Sequence, residues 1–269
     1  MRAPRLWAGY ALDLDGTVYL GDELLDGAAD AIDGLRRAGA RIVFVTNKPL
    51  HTSEEYAAKL TQLGVPAAAE DVVTAVDALV RYLAVHHAGR RVLTISEAVV
   101  RDRLSAAGFS VTEEAEGAEV VVVSFDRTFS YEKLHAGYRA VRENGAAIVA
   151  TNPDPYCPTP DGGLPDCAAM LAALEACTGA RAEAIVGKPS RHMGETFLER
   201  LALDPAEVAV VGDRIATDVA MGQSIGAAGI LVLTGATSAD EAGSDPITPD
   251  FVLEGLHELL PDDPTGAAT

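Results

Sequence analysis

Four short stretches place acids, a lysine or a hydroxyl where an apolar run ends. They are Asp13-Leu14-Asp15-Gly16-Thr17, Thr46-Asn47, Gly187-Lys188-Pro189, and Gly212-Asp213-Arg214 with Thr217-Asp218. A strand has a side-chain period of two, so Asp13 and Asp15 are expected on one side of the strand that carries them. Neighbouring acids repel each other and resist desolvation. Phosphoryl transfer is a chemistry that uses such a pair. Mg2+ accepts one or two carboxylates together with waters and phosphate oxygens. Asp13 and Asp213 can supply those carboxylates, and the ion relieves their repulsion. Asp13 could then attack phosphorus and form an aspartyl-phosphate. Thr46 and backbone N–H groups would hold the phosphoryl oxygens, and Lys188 would neutralise the charge spread over them. Asp15 would protonate the leaving alkoxide, then take a proton from the water that hydrolyses the intermediate. Either acid alone reads as a turn residue, since Asp favours strand-to-loop turns. Beside Gly16-Thr17 and three partner stretches, the catalytic reading outweighs that one.

These residues are far apart in the chain, so the scaffold must bring strand ends together. Strand and helix patterns alternate almost throughout. "LWAGYALDL", "RIVFVTN", "RRVLTIS", "EVVVVSF", "AAIVATN", "AIVGKPS", "EVAVVGD", "AGILVLT" and "DFVLE" read as strands. Such continuous apolar runs belong to parallel sheets covered on both faces. "DGAADAIDGLRRAGA" reads as an amphipathic helix with Ala28, Ala31, Ile32, Leu35 and Ala38 on one face. "TSEEYAAKLTQLG", "EAVVRDRLSAAG", "YEKLHAGYRAVRENG" and "CAAMLAALEACTG" are further helices, followed by two over Arg191–Leu203 and Thr217–Ile225. The Pro-rich stretch Asn152–Asp166 is expected to be a long loop, and "PDDPTGAAT" a frayed tail. The alternation predicts an α/β fold with a doubly wound parallel sheet whose carboxyl strand ends carry the chemistry. At 269 residues the chain is long for one such sheet, which leaves room for an inserted domain.

Composition narrows the partners. Hydrophobic residues make up 48% of the chain and aromatic ones 5%, so the core is mostly Ala, Val, Leu and Ile. The formal net charge of −19 opposes binding to nucleic acid or anionic membranes. No apolar run approaches the ~18–20 residues that span a bilayer. The N-terminal "MRAPRLWAGYALDLDG" lacks the apolar region of a secretory signal. Cys157, Cys167 and Cys177 lack the close pairs of zinc sites and read as reduced, mostly buried thiols, as expected in the cytoplasm.

"DLDGT", "TN", "GKP" and "GDRIATD", in that order, resemble the motifs of the haloacid dehalogenase superfamily of phosphatases. "DLDGTVYLGDELLDGAADAI", "IVATNPDPYCPTPDGGLPD" and "IVGKPS…VVGDRIATDVAMGQSIGAAGILVLTG" are similar to the NagD-like branch, subclass IIA. The resemblance spans roughly Leu12 to Glu254. It implies that Asp13 is the nucleophile and a Mg2+ ligand, and that Asp15 is the general acid/base, giving the metal only its backbone carbonyl. Thr46, Asn47 and Lys188 would hold phosphate, Asp213 would be the other carboxylate on Mg2+, and Asp218 would orient Lys188 or a metal-bound water. It also implies a core domain of residues 1–77 plus 183–269, with an α/β cap, 78–182, that closes over the crevice and contacts the leaving group.

Two departures bear on specificity. Lys48 stands where the family usually has a polar residue, often Asn, and Pro165-Asp166-Cys167 replaces Pro-Gly and a small residue. Lys48 reads either as a solvated loop lysine or as positive charge at the pocket mouth, drawing in a substrate with a second anionic group. Asn152, Asp154 and Tyr156 are candidate substrate contacts in the Pro-rich stretch. Asp126 and Arg127 could serve there or form a surface ion pair. His86, His87 and His192 show no metal-ligand spacing. The reading is a Mg2+-dependent phosphatase acting on a small phosphomonoester: a sugar or polyol phosphate, phosphoglycolate, glycerol phosphate or pyridoxal phosphate. A phosphotransferase or phosphomutase would share the first step. A receiver-like signalling module would share the aspartate, hydroxyl and lysine but not Asp15. Exposed surface on the inserted domain could pair two protomers.

Overall fold

Apolar runs without polar alternation need cover on both faces, and the chain uses them in two parallel sheets. The computed structural model describes residues 3–159 and 162–260. The expected tail "PDDPTGAAT" lies outside the described residues. The chain divides into two compact units. Met1–Thr46, Ser53–Val73 and Lys188–Thr269 form the first, and Asn47–Thr52 with Thr74–Gly187 form the second. The inserted unit is therefore a few residues wider at each end than the expected 78–182, and it takes the segment Asn47–Thr52 from the expected core.

The sheet of the first unit runs, in spatial order, Phe251–Leu253, Ala228–Val232, Val208–Gly212, Gly9–Asp13, Arg41–Thr46 and Val72–Thr74. Gly9–Asp13 is buried at all five positions and pairs in parallel with both neighbours. From it the chain winds first towards Arg41–Thr46 and later to the opposite side through Val208–Gly212, so the strand order reverses between Gly9–Asp13 and Val208–Gly212. Ligands of open α/β sheets bind at the carboxyl ends beside such a reversal. Leu12, Ile32, Leu35, Phe44, Leu60, Val211 and Ile230 belong to one buried cluster around this sheet. The helix Ala28–Arg37 buries Ala28, Ala31, Ile32 and Leu35. Ala38, expected on the same face, is the exposed C-cap residue, because the helix ends one position earlier.

The second unit has its own sheet, in the order Ala184–Ile185, Ala147–Ala150, Val120–Val123, Arg91–Ile95 and Ser110–Thr112, with every pair parallel. Helices Tyr131–Asn144 and Cys167–Thr178 contribute Ala140, Leu171 and Leu174 to a core built on Ile95, Val121, Val123 and Ile148. The Pro-rich stretch is not an irregular loop: Tyr156–Thr159 and Gly162–Pro165 form an antiparallel hairpin. Two short strands outside the main sheet tolerate proline because they have free edges. The helix Ala75–His86 starts at a reciprocal cap. Thr74 Oγ1 accepts from Asp77 N at 3.2 Å, and Asp77 Oδ2 accepts from Thr74 N at 2.9 Å.

Among the other predicted features, Cys157 and Cys167 are buried and Cys177 exposed, all three outside any disulfide. His87 is buried against Glu183, which also accepts from the Tyr82 hydroxyl at 3.1 Å. Asp126 and Arg127 do not pair with each other: Asp126 is buried on Lys133 at 2.6 Å, and Arg127 bonds Glu97 at 2.7 Å. Among the described residues no helix is long and apolar enough to cross a membrane.

Candidate active site

The reversal of strand order brings two acids level. Leu12 pairs with Val211, so Asp13 and Gly212 end adjacent strands together, and Asp213 follows at once. The strand stops at Asp13, so the two-residue period does not carry on to Asp15 as expected. Instead the chain turns. Gly16 adopts a φ of +83°, its N–H donates to Tyr19 O at 2.8 Å, and Val18 N–H donates to Leu14 O at 2.9 Å. Asp15 sits in this turn, half-buried, opposite Tyr19. Burial, and then the charge of Asp15, hold the Tyr19 phenol above its ordinary range.

Asp218 reaches the same place from the next element. The turn Ile215–Val219 is wound wider than an α-helix, where a plain helix from Thr217 was expected. Asp218 is buried, and its Oδ2 accepts from Arg214 N at 3.3 Å and Thr217 Oγ1 at 3.2 Å. Lys188 comes from the segment before the helix Arg191–Leu201. Its buried Nζ donates to Asp13 Oδ1 and, at 2.7 Å, to Asp218 Oδ1. Asp13, Asp213 and Asp218 each offer a carboxylate oxygen, all within 4.8 Å of one another.

Glycines make room for the acids. A Cβ on Gly212 would lie 2.2 Å from Asp218 Cγ, one on Gly16 would lie 2.6 Å from Asp213 Oδ2, and one on Gly235 would lie 2.1 Å from that same oxygen. The loop after Ala228–Val232 completes the surround. Ala236 N–H donates to Asp213 Oδ2 at 2.6 Å, and Thr234 Oγ1 donates to Gly16 O at 2.6 Å. Sequence reasoning did not single out Thr234, Gly235 and Ala236. Their one signal is a Thr-Gly at the end of an apolar run, the pattern that marked the other four stretches.

With all three carboxyls ionised, this buried cluster would set three carboxylates against one ammonium, an excess of two negative charges. Burial pushes the Asp13 carboxyl up to about 8: Lys188 opposes the rise, while Asp218 and Asp213 add to it. Burial and then Asp218 also raise Asp213. Lys188 stays charged, because Asp13 and Asp218 outweigh the burial that would discharge it. Asp213 Oδ1 is buried without a hydrogen-bond partner among the described residues. An orphaned carboxylate oxygen is costly unless something cationic completes it. These residues fit one divalent cation: it matches the excess charge, and hard carboxylate oxygens suit Mg2+.

The other predicted residues divide between the two units. Thr46 is buried at the carboxyl end of Arg41–Thr46, one position beyond the Asp13–Val45 pairing. Asn47 is buried in the second unit, where its Nδ2 donates to Asp154 Oδ2 at 3.0 Å and its carbonyl accepts from Asn152 Nδ2 at 3.2 Å. Tyr156 is exposed on the hairpin. Lys48 is half-buried in the same unit. Burial pushes the Asp166 carboxyl up to about 6; the Cys167 N–H opposes this, Asp154 adds to it, and the charge of Lys48 pulls it down.

Residues 10–110 match a family model described as haloacid dehalogenase-like hydrolase, and residues 185–259 match a HAD-hydrolase-like model. The sugar-phosphatase AraL of Bacillus subtilis (strain 168) is 36% identical over 252 residues, which cover 94% of this chain and 92% of that protein. The crystal structure of a 4-nitrophenylphosphatase from Thermotoga maritima superposes with a TM-score of 0.88 at 32% identity, covering 94% of this chain and 95% of the other. A glycerol phosphate phosphatase from Mycobacterium tuberculosis, solved in complex with magnesium, superposes with a TM-score of 0.87 at 32% identity, covering 96% of this chain and 77% of the other.

Proposed function

The chain belongs to the haloacid dehalogenase-like hydrolases, and on that premise we propose that it hydrolyses a small sugar or polyol phosphate through an aspartyl-phosphate on Asp13, with Mg2+ as cofactor. The observation that carries this reading is the buried cluster of Asp13, Asp213, Asp218 and Lys188 with its unpartnered Asp213 oxygen. The names of the relatives, a sugar phosphatase and a glycerol phosphate phosphatase, support the substrate class.

Asp13 and Asp213 would hold the cation with the backbone carbonyl of Asp15. When bound, Mg2+ supplies positive charge that keeps Asp13 ionised and draws in the phosphoryl oxygens. A carboxylate oxygen of Asp13 attacks phosphorus, and the bond from phosphorus to the ester oxygen breaks. Asp15 gives its proton to that departing oxygen, so the alcohol leaves neutral. Lys188, held by Asp218, neutralises charge on the phosphoryl oxygens, and Thr46 accompanies it. Asp15, now a carboxylate, takes a proton from a water that attacks phosphorus. The acyl-phosphate bond breaks, inorganic phosphate departs and Asp13 is restored. Asn47 is assigned a part in phosphate binding through its position next to Thr46. The inserted unit, with Lys48 and Tyr156, is assigned the choice of leaving group.

The test is a panel of phosphomonoesters with Mg2+, read for both free phosphate and organic product. Multiple turnovers that release phosphate and the parent alcohol are expected. An isomerised or transferred ester would show a mutase or transferase instead, and no phosphate from any ester would overturn the reading. A second prediction concerns the loop that holds Asp213. Gly235→Ala puts a methyl group where Asp213 Oδ2 lies. Displacing a metal ligand's support typically costs ~10–100-fold in metal affinity. The Mg2+ concentration for half-maximal activity is expected to rise by about that factor, and an unchanged Mg2+ dependence would remove Asp213 from the metal site.

A further inference from the structure

The chain first leaves the first unit after Thr46 and last returns to it at Lys188. The residues just inside the second unit, Asn47 and Gly187, are neighbours there. A Cβ on Gly187 would lie 2.6 Å from Asn47 Oδ1 and 2.4 Å from Thr151 O, so only glycine fits. Gly187 N–H donates to Thr151 O at 2.7 Å, continuing the pairing of Ala184–Ile185 with Ala147–Ala150. Asn47 is held from the same strand end. Asn152 Nδ2 donates to the Asn47 carbonyl at 3.2 Å, Asp154 Oδ2 accepts from Asn47 Nδ2 at 3.0 Å, and Asp154 N–H donates back to Asn152 Oδ1 at 3.1 Å. Thr151 and Asn152 are completely buried. Asp154 O accepts from Ala168 N at 3.1 Å, which ties the knot to the start of the helix Cys167–Thr178. The residues that flank Thr46 and Lys188 are therefore fastened together by one segment, Thr151–Asp154.

We propose that Asn152 and Asp154 are positioning residues for phosphate binding. They fix the backbone at Asn47, beside Gly187, and so set Thr46 and Lys188, each one peptide bond away. The proposal rests on the reading that Thr46 and Lys188 hold the phosphoryl group. The geometry favours it over direct substrate contact, because Asp154 Oδ2 and Asn152 Nδ2 are engaged by Asn47 and Asn152 Oδ1 accepts from Asp154 N–H. Asp154 is half-buried and Asn152 fully buried, so Asp154 is the safer site to vary.

A residue that acts through Thr46 and Lys188 affects the phosphoryl group whatever it is attached to, whereas a residue that touches the leaving group does not. In Asp154→Ala, kcat/KM is expected to fall by a similar factor, about 10²-fold, for p-nitrophenyl phosphate and glycerol phosphate, a typical cost of misplaced reacting groups. The affinity for inorganic phosphate, titrated calorimetrically with Mg2+, should weaken in parallel. Asp154→Asn keeps an oxygen for Asn47 Nδ2 and is expected to restore most of both. Wild-type activity in Asp154→Ala, or a loss confined to one of the two esters, overturns the proposal. A melting curve shows that each variant is folded, and Asn152→Asp, which replaces the donor to the Asn47 carbonyl with an acceptor, gives an independent second variant. Should the wild-type protein hydrolyse no ester of the panel, the phosphatase reading fails, and the phosphate titration still decides the pin: unchanged affinity in Asp154→Ala overturns it.

Discussion

Asp13→Asn is expected to abolish turnover, by at least about 10⁴-fold, without unfolding the protein. Loss of a nucleophile costs that much or more where it has been measured in other hydrolases. The two side chains have nearly the same shape, so the packing at the end of Gly9–Asp13 is preserved. The amide oxygen can still accept from Lys188, which keeps its second acceptor on Asp218 at 2.7 Å. On the proposed mechanism, what is lost is the anionic oxygen that would bond to phosphorus. The substitution also removes one of three mutually repelling acids from a buried cluster. The metal-free variant should therefore melt at the same temperature as the wild type or higher. Phosphate release from p-nitrophenyl phosphate and a thermal scan in EDTA check the two halves together. A variant that hydrolyses the ester at the wild-type rate, with contamination excluded, would show that Asp13 is not the nucleophile.

The second large effect is on stability, and its sign follows from the direction in which Asp13 is shifted. In the metal-free fold burial raises Asp13 from 3.8 to about 8, and Asp213 is raised as well. Between those two pH values the folded chain holds protons that the unfolded chain has released. Stability is then lost as pH rises through the window, since it falls wherever the native state binds more protons. On the proposed reading Mg2+ would take the place of those protons, so its stabilising effect should grow over the same range. A ligand at a hundred times its Kd stabilises by about 2.7 kcal/mol, or roughly 5–10 °C for a chain of this size. Melting temperatures in EDTA and in MgCl2, at pH 5 and pH 8, measure both trends. Other groups in the chain titrate too, so the diagnostic quantity is the difference in pH slope between wild type and Asp13→Asn. An equal slope in both proteins, or no Mg2+ shift at pH 8, would contradict this account of the cluster.

The buried acid–lysine cluster was legible because its members sit at strand ends. An apolar run that stops on an acid or a lysine is hard to explain by packing, and Asp13, Lys188 and Asp213 announce themselves in that way. Asp218 is legible at one remove, five residues beyond Asp213. The turn that delivers it, Ile215–Val219, was not: its winding is set by Asp218 bonding back to Arg214 and Thr217, a contact with no periodic signature. The hairpin Tyr156–Thr159 with Gly162–Pro165 was hidden for a related reason. Prolines at Pro158 and Pro165 break the alternation that marks a strand, and main-chain pairing at a free edge tolerates them. Val72–Thr74 runs into Ala75–His86 without a polar break, so strand and helix merge into one apolar stretch. Only the Thr74–Asp77 cap separates them, and that signal is present in the sequence. The partners of Asn47 were the least legible. Nothing local says that its amide faces Asp154, more than a hundred positions away.

The passage of the chain between its two units has a practical consequence for protein engineering. The boundary is crossed four times, after Thr46, Thr52, Val73 and Gly187. Exchanging the inserted unit for a homologue's by splicing only at Val73 and Gly187 would strand Asn47 against foreign partners at the positions of Asn152 and Asp154. A working chimera should carry the six-residue strip Asn47–Thr52 from the same donor. Libraries that aim to retune substrate preference would then treat the strip and the insert as one cassette.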